Sequence, residues 1–179
     1  MEDSPAPTRG NVVLTGFMGT GKTTVGRLLA ELLGYEFVDT DQLIEQRHGS
    51  IPEIFRESGE GEFRRLERAV ADELAERRQL VISTGGRLLL DAVNAARLTA
   101  TGAVFCLTAS VDTILDRVAS DDPAAERPLL AGDDARGRIT ELLAERAEAY
   151  ARFEQIDTGG RAPAELAAEI ADRVLSRRV

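Results

Sequence analysis

The segment from Gly16 to Thr23 constrains the fold of this chain more than any other feature of its sequence. Its residues, GFMGTGKT, fit the pattern G-x-x-x-x-G-K-[ST], and they lie between a predicted strand at residues 12–15 and a predicted helix beginning at Lys22. Glycines at these positions let consecutive backbone N–H groups surround an anion, and the helix N-terminus adds positive potential. The segment therefore predicts a phosphate-binding turn. The alternative is a plain glycine-rich turn from strand to helix.

Lys22 is the single lysine among the 22 basic residues of the chain. Its ammonium group is a compact, flexible charge that suits terminal phosphates, whereas the planar guanidinium of arginine suits bidentate contacts at the flanks of a site. The Thr23 hydroxyl is expected to ligate Mg²⁺. The loop thus predicts a nucleoside triphosphate site, to which Gly19, Thr20, Gly21 and Thr24 also contribute. Many reaction types share this motif, so it does not identify the reaction.

Length and composition exclude several other classes. The chain has 179 residues, of which 43% are hydrophobic, and this suffices for one soluble domain with a core. One histidine and one cysteine are too few for a zinc site, a disulfide or a Cys/His catalytic pair. A net charge of −9 without a basic stretch argues against nucleic-acid binding. No apolar run approaches membrane-spanning length, and we expect a cytoplasmic protein.

The remaining pattern predicts an α/β fold with a parallel sheet, because short apolar runs alternate with helical stretches. The predicted strands do not alternate in polarity, which is typical of strands buried on both faces. They are residues 12–15, 36–39, 80–83, 104–107 and 155–157. Helices are predicted at residues 22–33, 41–47, 61–77, 91–100, 111–119, 134–152 and 163–178, and another begins at Ser50, which has capping-box spacing to Glu53.

Two segments differ from this regular pattern. Residues 1–10 are expected to be a flexible leader before a single domain at residues 11–179. Residues 120–133, SDDPAAERPLLAGD, form the one long polar connection. A loop of this length in a compact domain is expected to be a mobile lid, and the alternative is a disordered surface loop.

Two carboxylates, Asp39 and Asp41, lie at the end of the second predicted strand, at the edge where ligands of open α/β sheets bind. Residues two apart on an extended segment face the same side, so both can point towards the phosphate-binding loop. One carboxylate can then serve Mg²⁺ while the other accepts a proton from a substrate hydroxyl. In the alternative, Asp41 only caps the next helix and Asp39 only ends the strand.

Arg64 and Glu67 are i, i+3 neighbours on a predicted helix, so Glu67 can orient the guanidinium for a substrate carboxylate. The alternative is an exposed ion pair on a solvated face. Gly85 and Gly86 follow the third predicted strand, where the absence of a side chain lets the backbone approach a ligand.

In this order and at these spacings, the motifs resemble those of the shikimate kinase family. Besides the glycine-rich loop and the D-x-D of Asp39 and Asp41, they comprise E-F-R-x-x-E at residues 62–67, the Gly-Gly turn, R-P-L-L at residues 127–130 and R-x-x-x-Y at residues 146–150. The resemblance implies a three-layer P-loop fold like that of nucleoside monophosphate kinases, with a five-stranded parallel sheet, flanking helices and a lid. It further implies a monomeric kinase that uses ATP and Mg²⁺ to phosphorylate the 3-hydroxyl of shikimate.

The resemblance also implies roles for the matching residues. Asp41 would bind the shikimate hydroxyls and act on the 3-hydroxyl, while Thr23 and Asp39 serve Mg²⁺. The implied catalytic residues are Lys22, Asp41 and Arg127, the last of which would swing over the transferring phosphoryl group. The implied substrate-binding residues are Asp41, Arg64, Gly85, Gly86 and Arg146. The implied nucleotide contacts outside the glycine-rich loop are Arg117 against the adenine, Arg127, and Arg161 in the loop at residues 157–163.

Two positions depart from the family pattern. Arg87 stands where the family usually has a third glycine, and Glu148 stands where it commonly has proline. The long side chain at position 87 either enters the acceptor pocket or turns to solvent. The first outcome favours a kinase of the same fold with another small hydroxylated acceptor, such as a gluconate-like one. A catalytically inactive nucleotide-binding protein is a third hypothesis, which the intact Lys22 and Thr23 disfavour.

Overall fold

The computed structural model describes residues 10–120 and 134–177, and its centre is a five-stranded parallel sheet. The strands are β1 (Asn11–Gly16), β2 (Glu36–Asp39), β3 (Leu80–Ser83), β4 (Gly102–Thr108) and β5 (Glu154–Asp157), and their order in the sheet is β2-β3-β1-β4-β5. All five predicted strands are present, with slightly extended ends in β1, β4 and β5. The predicted leader, apart from Gly10, and the predicted lid, apart from Ser120, lie outside the described residues.

Helices cover both faces of this sheet. Within the described residues they are α1 (Lys22–Leu33), α2 (Thr40–His48), α3 (Ile51–Glu76), α4 (Ala92–Thr99), α5 (Val111–Ser120), α6 (Ala135–Tyr150) and α7 (Pro163–Ser176). A short 3₁₀ turn at Leu88–Leu90, which the sequence did not predict, follows β3. No helix in the described part of the chain has the length and apolar character needed to cross a membrane.

The core has two main layers because neighbouring residues of a buried strand point to opposite faces. Val12 of β1 packs in a cluster with side chains of α1 and α7, whereas Val13 packs in a cluster with side chains of α2, α3 and α4. Both valines are fully buried. This explains the unbroken apolar runs in the sequence, and the three-layer fold is confirmed.

A smaller third cluster supports the turn after β1. Phe17 is 1% exposed and packs with Ile114 of α5 and Ile139 of α6. The phosphate-binding loop predicted from the sequence is therefore anchored from behind by an aromatic side chain.

Helix α3 combines two predicted helices into one run with an internal break. Ser50 caps its start, and the predicted capping box is confirmed because Ser50 Oγ accepts from Glu53 N while Glu53 Oε2 accepts from Ser50 N. Gly59 interrupts the helix with φ 79° and ψ 175°, a conformation that residues with a Cβ rarely adopt. The break changes the direction of the part that carries Glu60, Arg64 and Glu67.

Candidate active site

The carboxyl edge of the sheet opens into a cleft of about 1580 Å³. One end of the cleft, which we call the α3 end, is lined by Glu60, Arg64 and Arg87. The other end, which we call the α7 end, is lined by Arg117, Thr158 and Arg161. Most predicted site residues line this cleft: Gly19, Thr20, Gly21, Lys22, Thr23, Thr24, Asp39, Asp41, Arg64, Gly86, Arg117, Arg146 and Arg161. Pockets for one small ligand usually measure about 300–1,000 Å³, so the cleft has room for two. The predicted lid arginine, Arg127, lies outside the described residues.

Lys22 lies inside the glycine-rich turn and donates hydrogen bonds to the carbonyl oxygens of Gly16 and Phe17, each at 2.9 Å. Burial lowers the pKa of its ammonium group to about 8, although the negative charges of Asp41 and Asp39 act in the opposite direction. A bound polyanion would offer stronger acceptors than these two carbonyls. The lysine is therefore held ready to exchange its partners for a phosphate.

Asp39 connects the glycine-rich turn to the start of α2. Its Oδ1 accepts from the backbone N–H groups of Asp41 and Gln42 at 3.1 and 3.2 Å, and its Oδ2 accepts from Thr23 Oγ1 at 3.2 Å. The helix cap is thus Asp39, so the alternative in which Asp41 caps the helix is wrong. Hydroxyl and carboxylate oxygens are ligands that Mg²⁺ accepts, and the pair Thr23 and Asp39 fits such an ion.

Asp41 lies in the first turn of α2 with its carboxylate against Gly85. A Cβ at Gly85 would lie 2.5 Å from Asp41 Oδ1, so only glycine permits this approach. Oδ1 is buried and has no hydrogen-bond partner within the described residues. Burial, together with the charges of Asp39 and Glu67, raises the pKa of Asp41 to about 6 against the opposing charge of Lys22. The site therefore holds a carboxyl group that titrates close to neutral pH.

Arg64 is held between two carboxylates of α3. Its Nη1 donates to Glu67 Oε2 at 2.6 Å, and its Nε and Nη2 donate to Glu60 Oε1 at 3.2 and 2.9 Å. Glu67 is only 2% exposed, so the alternative of an exposed surface pair is wrong for this contact. Burial raises the pKa of Glu67, and the hydrogen bond from Arg64 opposes that shift. Three of the five N–H groups of Arg64 are engaged, which leaves two for a ligand.

Arg146 of α6 is 5% exposed, yet no carboxylate forms a salt bridge with it in the part of the chain that the structure describes. Its guanidinium lies over the Phe17 ring, 5.0 Å from the centroid. Tyr150, one helical turn later, donates to the carbonyl oxygen of Gly86 at 2.6 Å, and a Cβ at Gly86 would lie 3.3 Å from Arg146 Nη1. The sequence did not predict the roles of Phe17 and Tyr150, although the R-x-x-x-Y spacing places Arg146 and Tyr150 on one helix face.

Arg117 joins the glycine-rich turn to the loop after β5 at the α7 end. Its Nη1 donates to the Gly19 carbonyl at 3.1 Å and to Thr158 Oγ1 at 2.9 Å, while its Nη2 donates to the Thr158 carbonyl at 2.8 Å. Arg161 in the same loop donates to Glu169 Oε2 of α7 at 2.5 Å. The two predicted nucleotide contacts are thus brought to one end of the cleft. Thr158 was missed because its carbonyl and hydroxyl become partners of Arg117 only through the fold.

The two departures from the family pattern are both exposed. Arg87 has φ −114° and ψ −9°, which any residue can adopt, so this turn has no conformational need for a third glycine. Its side chain lies at the rim of the α3 end rather than deep in the cleft. Glu148 lies on the outer face of α6.

Comparisons with known proteins agree with this geometry. The sequence matches the family model described as shikimate kinase over residues 18–175. A shikimate kinase of Persephonella marina is 43% identical over 166 residues, which cover 92% of this chain and 98% of that protein. A shikimate kinase from Acinetobacter baumannii, solved in complex with shikimate, superposes with a TM-score of 0.87 at 39% identity and covers 96% of each chain. A gluconokinase from Sinorhizobium meliloti superposes with a TM-score of 0.59 at 21% identity, which shows a shared fold alone.

Proposed function

The chain belongs to the shikimate kinase family, and we propose that it transfers the γ-phosphoryl group of ATP to the 3-hydroxyl of shikimate. The products are ADP and shikimate 3-phosphate, and the reaction belongs to aromatic amino acid biosynthesis. The cleft supports this assignment because it has room for two substrates and a different set of polar groups at each end.

The buried guanidinium of Arg146 is the observation that supports this acceptor best. No carboxylate among the described residues pairs with this guanidinium, and an acceptor carboxylate would supply the missing counter-ion. Arg64 has two N–H groups that no described residue uses, and it lies at the α3 end of the same cleft. Shikimate carries one carboxylate and three hydroxyls on a small ring, and so it matches a cleft lined by two arginines and Asp41.

The proposed acceptor site follows from these contacts. Arg64 and Arg146 bind the carboxylate, and Asp41 binds the hydroxyls. The backbone of Gly86 lies beside the ring, and Gly85 before it lets the Asp41 carboxylate approach, because a Cβ at Gly85 would lie 2.5 Å from Oδ1. Glu67 keeps Arg64 in place from a buried position.

The proposed nucleotide site occupies the glycine-rich turn and the α7 end. Backbone N–H groups from Gly19 to Thr24 and the start of α1 surround the phosphates. Lys22 exchanges its two carbonyl acceptors for phosphate oxygens. Arg117 and Arg161 contact the adenine end, and Arg127 of the predicted lid would add a charge over the transferred group.

Mg²⁺ is the cofactor we propose for this site. Thr23 and Asp39 would hold it, directly or through water, because their oxygens lie 3.2 Å apart beside the phosphate turn. When bound, Mg²⁺ neutralises phosphate charge during transfer.

Catalysis then depends on position and charge, since phosphoryl transfer requires little covalent help from the protein. With its pKa near 6, Asp41 is mostly ionised at pH 7.5 and can align the attacking hydroxyl and accept its proton. Lys22 offsets the charge that develops on the transferred group.

The other two hypotheses have less support. Arg87 was the reason to consider another acceptor, but it lies exposed at the rim of the cleft. The likeness to a gluconokinase extends to the fold alone. Against an inactive nucleotide-binding protein, Lys22, Thr23, Asp39 and Asp41 are all placed around one turn.

A coupled ADP-release assay tests the proposed function. We would offer shikimate, gluconate, nucleoside monophosphates or water as acceptor, with ATP and Mg²⁺ present throughout. The expected result is saturable turnover with shikimate alone. A Lys22→Met variant serves as a control for contaminating kinases and should release little ADP. Absence of turnover with shikimate in the unmodified enzyme would refute the assignment.

A further inference from the structure

A second, smaller cavity lies behind the α3 end of the cleft, and the wall between the two carries four charged side chains. The cavity measures about 290 Å³ and shares Glu60, Arg64, Glu67 and Arg87 with the main cleft. Movement of any of these side chains therefore changes both spaces. The proposed function assigns a role to Arg64 and Glu67 and leaves Glu60 and Arg87 without one.

Glu60 competes with the acceptor for Arg64. It accepts hydrogen bonds from Nε and Nη2 of Arg64, while Glu67 accepts one from Nη1. Arrival of an acceptor carboxylate would place three anions around one guanidinium, and their mutual repulsion would weaken binding. The side chain of Glu67 is 3% exposed and that of Glu60 is 56% exposed, so Glu60 is the one that can move away.

Arg87 offers Glu60 a second cation. The turn after β3 fixes its backbone, because Leu88 N donates to the Gly85 carbonyl at 3.1 Å and Leu90 N donates to the Arg87 carbonyl at 3.0 Å. Leu88 and Leu89 are buried, which leaves the side chain of Arg87 facing the open side of the turn.

In the part of the chain that the structure describes, no carboxylate is bound to the Arg87 guanidinium. This guanidinium makes no hydrogen bond or salt bridge there, although its charge helps Arg64 to lower the pKa of Glu60. Asp91, a partly buried carboxylate on the small cavity, is already bound by Arg68 and caps α4. The charge of Arg87 also acts on Glu67, but that side chain is buried and held by Arg64, so Glu60 is the exposed carboxylate that Arg87 can accept.

We propose that Arg87 is a positioning residue that accepts Glu60 when the acceptor carboxylate binds Arg64. The exchange keeps Glu60 neutralised while it releases two further N–H groups of Arg64, those of Nε and Nη2, for the acceptor. Arg87 then lowers the KM for the acceptor without touching it. The inference rests on the proposed function. A chain with glycine at position 87 would lack this cationic partner for Glu60.

A double-mutant cycle tests this exchange. We would measure kcat and both KM values for Arg87→Ala, Glu60→Gln and the double variant, with Arg87→Lys as the conservative replacement. Arg87→Ala should raise the KM for shikimate about two- to fivefold, the range expected of an exposed ion pair, and leave the KM for ATP unchanged. In the Glu60→Gln background the same substitution should change the KM for shikimate by less than about 1.5-fold. Arg87→Lys should retain most of the effect.

A control variant and the results that would contradict the exchange complete the experiment. Arg47→Ala removes an exposed arginine that pairs with Glu73 away from the cleft, and it should leave both KM values unchanged. An equal effect of Arg87→Ala with and without the Glu60 carboxylate would overturn the exchange, as would no effect at all. If the unmodified enzyme does not turn over shikimate, the proposed function itself fails. If it does and the cycle shows no coupling, only this inference fails.

Discussion

Replacing Asp41 with asparagine tests the electrostatics of the site, because the substitution removes the charge and keeps the shape of the side chain. Burial raises the pKa of Asp41 from 3.8 to about 6 in the folded protein. The folded state therefore binds the proton more tightly than the unfolded state, and ionisation destabilises the fold. Since one pKa unit corresponds to 1.36 kcal/mol, the cost of the charge is about 3 kcal/mol at pH 8 and about 1 kcal/mol at pH 4.5.

Urea unfolding of the ligand-free enzyme measures this cost. We expect Asp41→Asn to be more stable than the unmodified protein by about 3 kcal/mol at pH 8, and the gain should shrink towards pH 4.5. The same variant should lose about 100-fold or more in kcat, because asparagine cannot accept the proton. Asp72→Asn, which removes an exposed carboxylate paired with Arg97, should change stability by less than about 1 kcal/mol. A less stable Asp41→Asn variant, or a gain that is independent of pH, would refute the reasoning.

Two further predictions concern the acceptor and the pH profile. Arg146→Met keeps much of the packing but removes the charge, so the KM for shikimate should rise about 10- to 100-fold while the KM for ATP stays within about twofold; an unchanged KM for shikimate would contradict the carboxylate role. A plot of kcat/KM against pH should fall below about pH 6 as Asp41 gains a proton and above about pH 8 as Lys22 loses one. A profile that is flat from about pH 5 to 9 would exclude both assignments.

The sheet and the phosphate turn were predictable because their signals are local. Buried parallel strands appear as short apolar runs between glycine and charged residues, and the spacing from Gly16 to Thr23 is specific in its context. Strand ends were less accurate: β4 begins at Gly102, where the backbone pairs with Asn11 of β1. That pairing depends on the neighbouring strand, which the local sequence does not show.

The contacts that each site residue makes were harder to predict than the identity of the site residues. Asp39 and Asp41 are both good cap residues, and only the exact start of α2 decides that Asp39 is the cap. The contact of Glu60 with Arg64 was missed because the predicted helix began at residue 61. In the structure the helix continues to the break at Gly59, which places Glu60 one turn before Arg64. Phe17 supports Arg146 across more than a hundred residues, and no short-range pattern reveals such a contact.

The most direct test compares shikimate with its methyl ester as acceptor. Esterification removes the negative charge and leaves the ring hydroxyls in place. If Arg64 and Arg146 bind the carboxylate, kcat/KM for the ester should fall about 100-fold or more, because two guanidinium groups then face a neutral group. An ester that is phosphorylated within about threefold of the rate of shikimate would contradict the account.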